Sequence, residues 1–307
     1  MRIFITGAAG FIASHIQDAF LDLGHEVAVL DNLISGKREN INPKSKFYEL
    51  DIVNPEVEAV FQEFKPEVLC HHAAQMEVRR SVAEPAYDAK INILGTLNLL
   101  EAGRKVGLKK VIFASSGGAI YGEQDFFPAT EKHPLRPASP YGLSKMVGEE
   151  YLRLYERLYQ IKSVSLRYGN VYGPRQNPHG EAGVVAIFLE KMLKGENPVI
   201  NGDGLQTRDY VYVADVVKAN VLALKNEVNG VFNIGTNCET SVIQLFEILS
   251  SFSQVKRAEH APAKLGEQRR SLLSFEQAKS EISWLPQVSI SEGLRLTFEW
   301  FKNCKKS

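Results

Sequence analysis

Short apolar runs alternate with longer amphipathic stretches along the first 167 residues of the chain. The runs, rich in β-branched and aromatic residues, predict strands at 2–6, 26–30, 46–50, 67–72, 110–115 and 162–167. The stretches place apolar residues every three or four positions and predict helices near 11–23, 55–64, 86–106 and 141–159. Strands that alternate with helices in this way are typical of an α/β fold with a doubly wound parallel sheet.

The pattern changes after residue 167. Gly, Pro and Asn are frequent in 169–180 and 195–204, and helical patterns follow at 183–194, 213–225, 240–252 and 274–282. We expect a Rossmann-type domain over 1–167, to which a segment of roughly 205–236 returns, and mainly a smaller α/β C-terminal cap over 168–307. Ligands of open α/β sheets bind beyond the carboxyl ends of the strands, so the cap is predicted to cover that edge.

Charge and composition narrow the class of protein. The 307 residues contain 36 Lys and Arg against 36 Asp and Glu, and 44% of them are hydrophobic. These values are ordinary for a globular protein. The formal net charge is zero and the basic residues form only short, scattered pairs, so we expect no nucleic-acid partner.

The cysteines and the apolar segments indicate where in the cell we expect the protein. Cys70, Cys238 and Cys304 are too few and too widely spaced for a disulfide framework, which favours a reducing cytoplasm. No segment approaches 18 consecutive apolar residues and the chain begins directly with a predicted strand, so we expect neither a membrane span nor secretion. No metal site is predicted, because no cysteine has metal-ligand spacing and the neighbouring His71 and His72 point to opposite faces of a strand.

A Gly-x-x-Gly turn follows the first predicted strand. Gly7 allows a sharp turn, Gly10 allows the backbone to approach a pyrophosphate, and Ala13 stands where a third glycine is common. The next helix then presents its N-terminus to the phosphates. Asp31 ends the second strand, and a carboxylate there accepts hydrogen bonds from a ribose and repels a 2′-phosphate, so the motif predicts NAD rather than NADP. The alternative is a loop glycine pair with a strand-end aspartate that caps a turn.

Tyr141 and Lys145 form the second candidate motif. Residues four apart on a helix share a face, so the phenol and the ammonium project together. We expect the nearby cation to lower the pKa of the tyrosine, which makes the phenol usable as a proton acceptor. Two exposed helix residues would give the same spacing, so the motif carries weight only beside the glycine turn.

Further short segments conform to one family pattern. They are Asp31-Asn32-Leu33, Asp51-Ile52, His72-Ala73-Ala74-Gln75, Asn92, Ser115-Ser116, Tyr121-Gly122, the run 166–174, Gly202-Asp203-Gly204, Arg208-Asp209-Tyr210 and Gly266-Glu267-Gln268-Arg269-Arg270. Together with the glycine turn and the Tyr-Lys pair, they resemble the extended short-chain dehydrogenase/reductases, and within them the nucleotide-sugar 4-epimerases. The resemblance implies a bound NAD and a UDP-hexose substrate that is epimerised at C4 through a 4-keto intermediate.

The resemblance also implies a role for individual residues. Catalysis is expected from Tyr141, Lys145 and Ser116. NAD is expected to contact Gly7, Gly10, Phe11, Ile12, Asp31, Asn32, Asp51, Ile52, Ala73, Ala74, Gln75, Asn92, Tyr141, Lys145 and Tyr168. The nucleotide sugar is expected to contact Ser116, Asn170, Val184, Arg208 and Arg269.

The loop before Tyr121 departs from the family pattern. The family usually places Ser or Thr at the position of Gly117, where its hydroxyl bonds the reacting hydroxyl. Either Ser116 supplies that hydroxyl from an adjusted loop, or the site relies on Tyr141 and a water; we favour Ser116.

The same loop bears on the type of reaction. Related 4,6-dehydratases carry Thr-Asp-Glu where this chain has Gly117, Gly118 and Ala119, so no acid–base pair for elimination is present and C4 epimerisation is favoured. Two alternatives remain open. One is a nucleotide-sugar reductase or dehydrogenase with exchangeable NAD(H), and the other is a catalytically inert NAD-binding scaffold.

Two long helices suggest an interface between copies of the chain. Family members often form dimers by pairing two such helices into a four-helix bundle, and the matching segments here are 86–106 and 141–159. Their apolar faces are broader than a single buried face requires. These faces include Ile91, Ile93, Leu94, Leu97, Leu100, Met146, Tyr151, Leu154 and Leu158. We expect a homodimer.

Overall fold

A computed structural model of the chain describes residues 1–179, 183–225, 227–263 and 268–304. The strands of this part of the chain are β1 (Arg2–Thr6), β2 (Glu26–Asp31), β3 (Lys46–Glu49), β4 (Val68–His71), β5 (Lys110–Ser116), β6 (Lys162–Tyr168), β7 (Asn170–Tyr172), β8 (Val199–Asn201), β9 (Thr207–Tyr212), β10 (Gly230–Ile234), β11 (Glu239–Ser241) and β12 (Glu259–Ala261).

The helices lie between the strands and over the cap. They are α1 (Phe11–Asp22), α2 (Val57–Phe64), α3 (Val78–Ala83), α4 (Pro85–Ala89), α5 (Gly95–Lys105), α6 (Gly117–Ile120), α7 (Pro140–Tyr159), α8 (Val184–Leu193), α9 (Val213–Lys225), α10 (Val242–Phe252), α11 (Glu276–Ile282) and α12 (Ile290–Cys304). A 3₁₀ turn covers Arg38–Asn40, and a π-helical turn over Lys90–Leu94 joins α4 to α5. Every helix in the described ranges is too short or too polar to cross a bilayer.

Seven strands form one parallel sheet in the order β3-β2-β1-β4-β5-β6-β10. The predicted α/β fold with a doubly wound parallel sheet is confirmed. The chain moves outward from β1 in one direction through β2 and β3, and in the other direction from β4 onwards. At such a reversal the loops after β1 and β4 diverge and leave a crevice at the carboxyl edge of the sheet.

The central strands of the sheet are mainly apolar, and the sheet is covered on both faces. In β1, Ile3 and Ile5 belong to one apolar cluster, while Phe4 belongs to the cluster on the other face. The first cluster includes residues of α1, α9 and α11, and the second includes residues of α2, α5 and α7. Helices on both faces are what an all-parallel sheet requires.

Two small sheets and a third apolar cluster build the cap. The sheets have the orders β11-β9-β7 and β12-β8, and the cluster joins residues of α8, α10 and α12. The segment 205–236 contributes to both parts of the molecule. Its strand β9 lies in the three-stranded sheet, whereas α9 packs against α1 and β10 pairs with β6 in the large sheet.

Candidate active site

The glycine turn after β1 leads directly into α1. Gly7 has a φ of +72°, and a Cβ there would lie 2.7 Å from the backbone nitrogen of Ala73, so a side chain would separate the loops after β1 and β4. Gly10 is the N-cap residue of α1, and no side chain caps the helix. The first two helical residues are Phe11 and Ile12. The N–H groups of this first turn and the helix dipole therefore form an anion-binding end at the crevice.

Asp31 ends β2 and faces the glycine turn. Its Oδ2 accepts a hydrogen bond from Ala9 N at 3.0 Å, and its Oδ1 accepts one from Leu33 N at 2.8 Å. Burial raises the pKa of Asp31, and the two N–H groups oppose that rise. An ionised carboxylate offers about four acceptor positions, so capacity remains for ribose hydroxyls. The residue types and their placement fit a dinucleotide.

Three further residues expected to contact NAD are Asn32, Asp51 and Ile52. Asn32 Nδ2 donates to Asp51 Oδ2 at 2.8 Å, so these two side chains come together at the edge of the crevice. Ile52 is buried and packs over Gly95 at the start of α5, where a Cβ would lie 2.6 Å from its Cδ1. Contact of these three residues with NAD stays a prediction.

Helix α7 presents the Tyr-Lys pair. The helix begins at Pro140, and the N-cap residue Ser139 accepts a hydrogen bond from the backbone of the first turn. Lys145 Nζ lies 5.8 Å from the centre of the Tyr141 ring and 4.8 Å from that of Phe113. The same Nζ donates to the backbone oxygen of Ala114 at 2.9 Å. The ammonium is thus anchored to β5 beneath the tyrosine ring.

Burial controls the titration of this pair. It lowers the pKa of Lys145 to about 8, although the carboxylates of Asp88 and Glu149 oppose the fall. It raises the pKa of Tyr141 to about 12, although a hydrogen bond with the Ser116 side chain opposes the rise. The chain alone therefore does not produce the lowered tyrosine pKa that the motif predicts. The reason is that Lys145 bonds the backbone of β5 rather than the phenol oxygen.

The structure brings Ser116 to the phenol. Ser116 ends β5, and its side chain lies close enough to Tyr141 to lower the pKa of the phenol. The next residue, Gly117, begins the short helix α6. Of the two arrangements left open by the sequence, a hydroxyl supplied to the substrate by Ser116 stays a prediction.

A buried ion pair between Arg167 and Glu149 lies beside the two elements that carry Ser116 and Tyr141. The two guanidinium nitrogens Nε and Nη2 of Arg167 lie 2.9 Å and 2.6 Å from the carboxylate oxygens of Glu149, and Ser115 Oγ also donates to that carboxylate at 2.6 Å. Arg167 Nη1 donates to the hydroxyl of Tyr121 at 2.8 Å. This network joins β5, β6 and α7, and sequence reasoning missed it. The available signal was Glu149, four residues after Lys145 and hence on the same helix face.

The loop after β4 is held by a second buried network. Ala73 and Ala74 lead to Gln75, whose N–H donates to Asn92 Oδ1 at 2.9 Å, while Asn92 Nδ2 donates back to the backbone oxygen of Gln75 at 2.8 Å. Asp88 accepts hydrogen bonds from Gln75, from Asn92 and from the hydroxyl of Ser144. Asn92 therefore positions the loop predicted to line the NAD site. Asp88 was missed because an isolated aspartate in a predicted helix carries no signal.

Tyr168 makes its polar contacts inside the molecule. Its hydroxyl lies 3.1 Å from His72 Nε2 and accepts a hydrogen bond from Asn220 Nδ2 at 2.9 Å. His71, the neighbour of His72, contacts Thr6 and Thr96 instead. Contact of Tyr168 with NAD stays a prediction. Among the described residues, no group of three or more His, Cys, Asp or Glu could hold a metal ion.

The residues expected around the nucleotide sugar come from the cap. Asn170 begins β7 and Val184 begins α8, while Arg208 lies in β9, which pairs with β7. Arg208 Nη1 donates to the backbone oxygen of Thr207 at 2.8 Å. Arg269 forms a two-pronged pair with Asp203 at 2.9 Å and 2.8 Å.

Two pieces of the expected substrate region fall in the gaps of the described ranges. Gly266 and Glu267, from the late motif, lie outside the described residues. So do residues 180–182, which precede α8.

Comparisons with known proteins match the whole chain. Residues 3–235 match the sequence model of the NAD dependent epimerase/dehydratase family. The UDP-glucose 4-epimerase of Mycolicibacterium smegmatis is 46% identical, over 99% of both chains. The crystal structure of the UDP-glucose 4-epimerase of Thermotoga maritima with UDP-glucose is 50% identical, covers 99% of this chain and 100% of its own, and has a TM-score of 0.97. The UDP-glucose 4-epimerase of Thermus thermophilus in complex with NAD is 47% identical, with 98% and 99% covered and a TM-score of 0.93.

Proposed function

The chain belongs to the NAD-dependent epimerase/dehydratase family, and from this premise we propose that it interconverts UDP-glucose and UDP-galactose by inverting C4 of the hexose with bound NAD. The resemblance inferred from its motifs is confirmed by relatives of the same length at 46% and 50% identity. The observation that carries the proposal is the pair of Tyr141 and Lys145 on helix α7, which lies beside Ser116 at the carboxyl end of β5.

The cofactor site is proposed from the fit of its donors and acceptors. The N-terminus of α1 behind Gly7 and Gly10 would bind the diphosphate, and Asp31 would accept hydrogen bonds from the adenosine ribose. Lys145 would bond the nicotinamide ribose. When bound, NAD supplies a hydride acceptor and a positive charge beside Tyr141.

The proton steps belong to residues of this chain. Tyr141 removes the proton from the C4 hydroxyl as the C4–H bond breaks and a 4-keto sugar forms. Ser116 donates a hydrogen bond to the reacting oxygen, and the positive charges nearby favour the phenolate form of Tyr141. The keto sugar then rotates in the site and presents its opposite face. Tyr141 returns the proton to the C4 oxygen while hydride adds to C4 on that face. The net reaction changes only the configuration at C4.

Side chains of the cap would bind the nucleotide sugar. We assign the diphosphate to Arg208 and Arg269, because a guanidinium fork matches phosphate oxygens and stays charged at physiological pH. Asn170 and Val184 would contact the sugar. On this assignment 1–167 with roughly 205–236 forms the NAD-binding domain, and the rest of 168–307 forms the substrate cap.

We also propose a cytoplasmic homodimer. Leu94, at the end of the π-helical turn, and Leu158, on α7, are more than half exposed although both lie on the predicted interface helices. Burial of such residues against a second copy would remove apolar surface from water. The described cysteines are free, and a reducing cytoplasm keeps such thiols reduced.

Proton NMR of the purified chain with UDP-galactose, without added cofactor, tests the proposal. The anomeric signal of UDP-glucose is expected to appear until equilibrium is reached, with no net change in NADH. Conversion of only UDP-N-acetylgalactosamine or UDP-galacturonate would keep the chemistry and change the substrate. A stoichiometric change in NADH would indicate a reductase or dehydrogenase. An absence of conversion, even with NAD supplied, would indicate an inert scaffold.

A further inference from the structure

The two glycines after Ser116 are not equivalent. A Cβ at Gly117 would lie 2.5 Å from Cδ1 and 2.9 Å from Cδ2 of Leu273. At Gly118 the nearest atom, Oδ1 of Asn170, would lie at 3.9 Å, an ordinary contact distance. The first glycine is therefore needed to make room for Leu273, whereas the second is not under the same constraint.

Leu273 is held firmly where it meets the loop. Its side chain is fully buried and packs with Ile120, Tyr121 and Ala129. Its backbone forms a parallel bridge with Ala129, and its N–H donates to Oδ2 of Asp209 at 3.2 Å. Two backbone hydrogen bonds flank this bridge. Ala129 N donates to the oxygen of Leu272 at 2.9 Å, and Ser274 N donates to the oxygen of Ala129 at 2.8 Å. A side chain anchored in this way limits how far Gly117 can move.

The position of Gly117 decides the position of Ser116. The two residues are consecutive, and Ser116 at the end of β5 lies next to the Tyr141 phenol, whose pKa it lowers. A hydrogen bond between hydroxyl groups spans only about 2.5–3.0 Å, so a loop displacement of roughly half an ångström weakens it. Interiors are packed densely enough to transmit such shifts.

We propose that Leu273 is a positioning residue of the epimerisation, which fills the space over Gly117 and thereby holds Ser116 against Tyr141. The inference rests on the proposed function and goes further, since it assigns a role to a buried leucine of the cap side of the molecule. Asp209, which holds the backbone of Leu273, directly follows Arg208 in β9. The contact thus connects the strand that carries a substrate arginine with the loop that carries the catalytic hydroxyl.

A size-exchange experiment tests this contact. Leu273→Ala leaves a space over the loop and Gly117→Ala overfills it, so each is expected to lower kcat for UDP-galactose by about tenfold or more, as loss of one hydrogen-bond donor does. KM is expected to stay within about twofold, because neither variant changes a side chain assigned to the nucleotide sugar. In Gly117→Ala/Leu273→Ala the new methyl group enters the vacated space, and most of kcat is expected to return. Leu135→Ala is the matched control, because Leu135 packs on the same cluster away from Gly117.

A second comparison separates positioning from general support of the fold. In a Ser116→Ala background, Leu273→Ala is expected to lower kcat no further, because the hydroxyl that it positions is already gone. The proposal would be overturned if Leu273→Ala lowered kcat further in the Ser116→Ala background, or if kcat did not recover in Gly117→Ala/Leu273→Ala. A kcat for Leu273→Ala within about twofold of wild type would also overturn it. If Leu273→Ala fails to fold, Gly117→Ala is compared in the wild-type chain and in the Ser116→Ala variant, which tests the same contact from the Gly117 side. A wild-type chain that converts no UDP-sugar would instead overturn the proposed function, and the positioning role with it.

Discussion

Opposing effects act on the pKa of Tyr141, and reversal of their net rise is expected from a bound cofactor. Burial raises the pKa of its phenol to about 12, and the hydrogen bond with Ser116 lowers that pKa by less than burial raises it. A phenol in that state is a poor base at neutral pH. When bound, NAD would add a positive charge to this site, and a positive charge near the phenol favours its ionised form. Proton abstraction is therefore expected only in the complex, which keeps the site inactive until the cofactor is in place.

Removal of the Tyr141 hydroxyl tests this residue. Tyr141→Phe is expected to lower kcat by at least about a hundredfold, the usual contribution of a positioned acid–base group. Binding of NAD, followed by fluorescence quenching, is expected to remain, because the glycine turn and Asp31 are unchanged. Near-normal turnover of UDP-galactose in this variant would contradict the assignment.

The buried Lys145 is expected to lower the stability of the ligand-free chain. Its folded pKa is about 8 against an ordinary 10.5, so the unfolded chain binds more protons between these two pH values. Stability therefore rises with pH from about 8 to about 10.5, and the cost of the buried ammonium is fully present below about 8. Lys145→Met is expected to raise the free energy of unfolding at pH 7 by about 1–3 kcal/mol while it abolishes activity.

Urea unfolding of the ligand-free chain at a series of pH values measures this effect. The advantage of Lys145→Met is expected to shrink as the pH rises from about 8 to about 10.5. Lys279→Met, at an exposed position, is the control and is expected to change little at any pH. A Lys145→Met chain less stable than wild type at pH 7 would disprove the electrostatic cost.

Asp203 is expected to compete with the substrate for Arg269. The Arg269 hydrogen bonds lower the pKa of Asp203 to about 2, so the carboxylate is charged throughout the working range. The pair is exposed on both sides, and an exposed pair contributes little, so a diphosphate can displace it. Asp203→Asn is expected to lower KM for UDP-galactose about two- to fivefold with kcat unchanged, because it removes the competing charge. Steady-state kinetics measures the change, and a raised KM would contradict the competition.

Helix α7 and its neighbours show what sequence periodicity can and cannot predict. The long apolar pattern at 141–159 corresponds to α7, which also has a recognisable N-cap at Ser139. The pattern at 86–106 predicted one helix, but the chain forms α4, a π-helical turn and α5. The turn holds Asn92, whose side chain bonds the loop at Gln75. One extra residue in a helical turn barely alters the spacing of apolar residues, so the interruption was not predictable.

The buried ion pair between α7 and β6 makes it costly to remove either partner alone. Glu149 and Arg167 are both almost fully buried, so Arg167→Leu leaves a buried carboxylate without its partner and is expected to cost about 3–5 kcal/mol of unfolding free energy. Glu149→Leu/Arg167→Leu removes both charges and is expected to cost less than the single variant. Chemical denaturation measures both. The exposed pair Glu292 and Arg295 on α12 is the control, and Arg295→Leu is expected to cost less than about 1 kcal/mol.

At the level of the whole molecule, the large sheet could be predicted from the sequence, but the contacts between residues far apart in the chain could not. Alternating strands and helices predicted a parallel sheet, and the turn at Gly7 with Asp31 located the crevice. The contact of Leu273 with Gly117 joins residues far apart in the sequence. Nothing in the local pattern around either residue marks this contact, because it depends on how the irregular segment before α11 packs against Ala129 and the start of α6. The strands β7, β8, β11 and β12 were not predicted, since three residues carry no periodic signal. The longer strands β9 and β10 were not predicted either.

The state of assembly provides a final test, since it depends on a surface that a single copy leaves exposed. Leu158 on α7 is more than half exposed and lies on the proposed interface. Leu158→Arg places a charge there, and a charge buried without a partner opposes association, so the variant is expected to be monomeric. Light scattering after size-exclusion chromatography is expected to give twice the chain mass for wild type and the chain mass for the variant. Leu285→Arg is the control, because Leu285 is also exposed but lies outside both interface helices, and it is expected to remain dimeric. A monomeric wild type, or a dimeric Leu158→Arg, would show that copies do not associate through these helices.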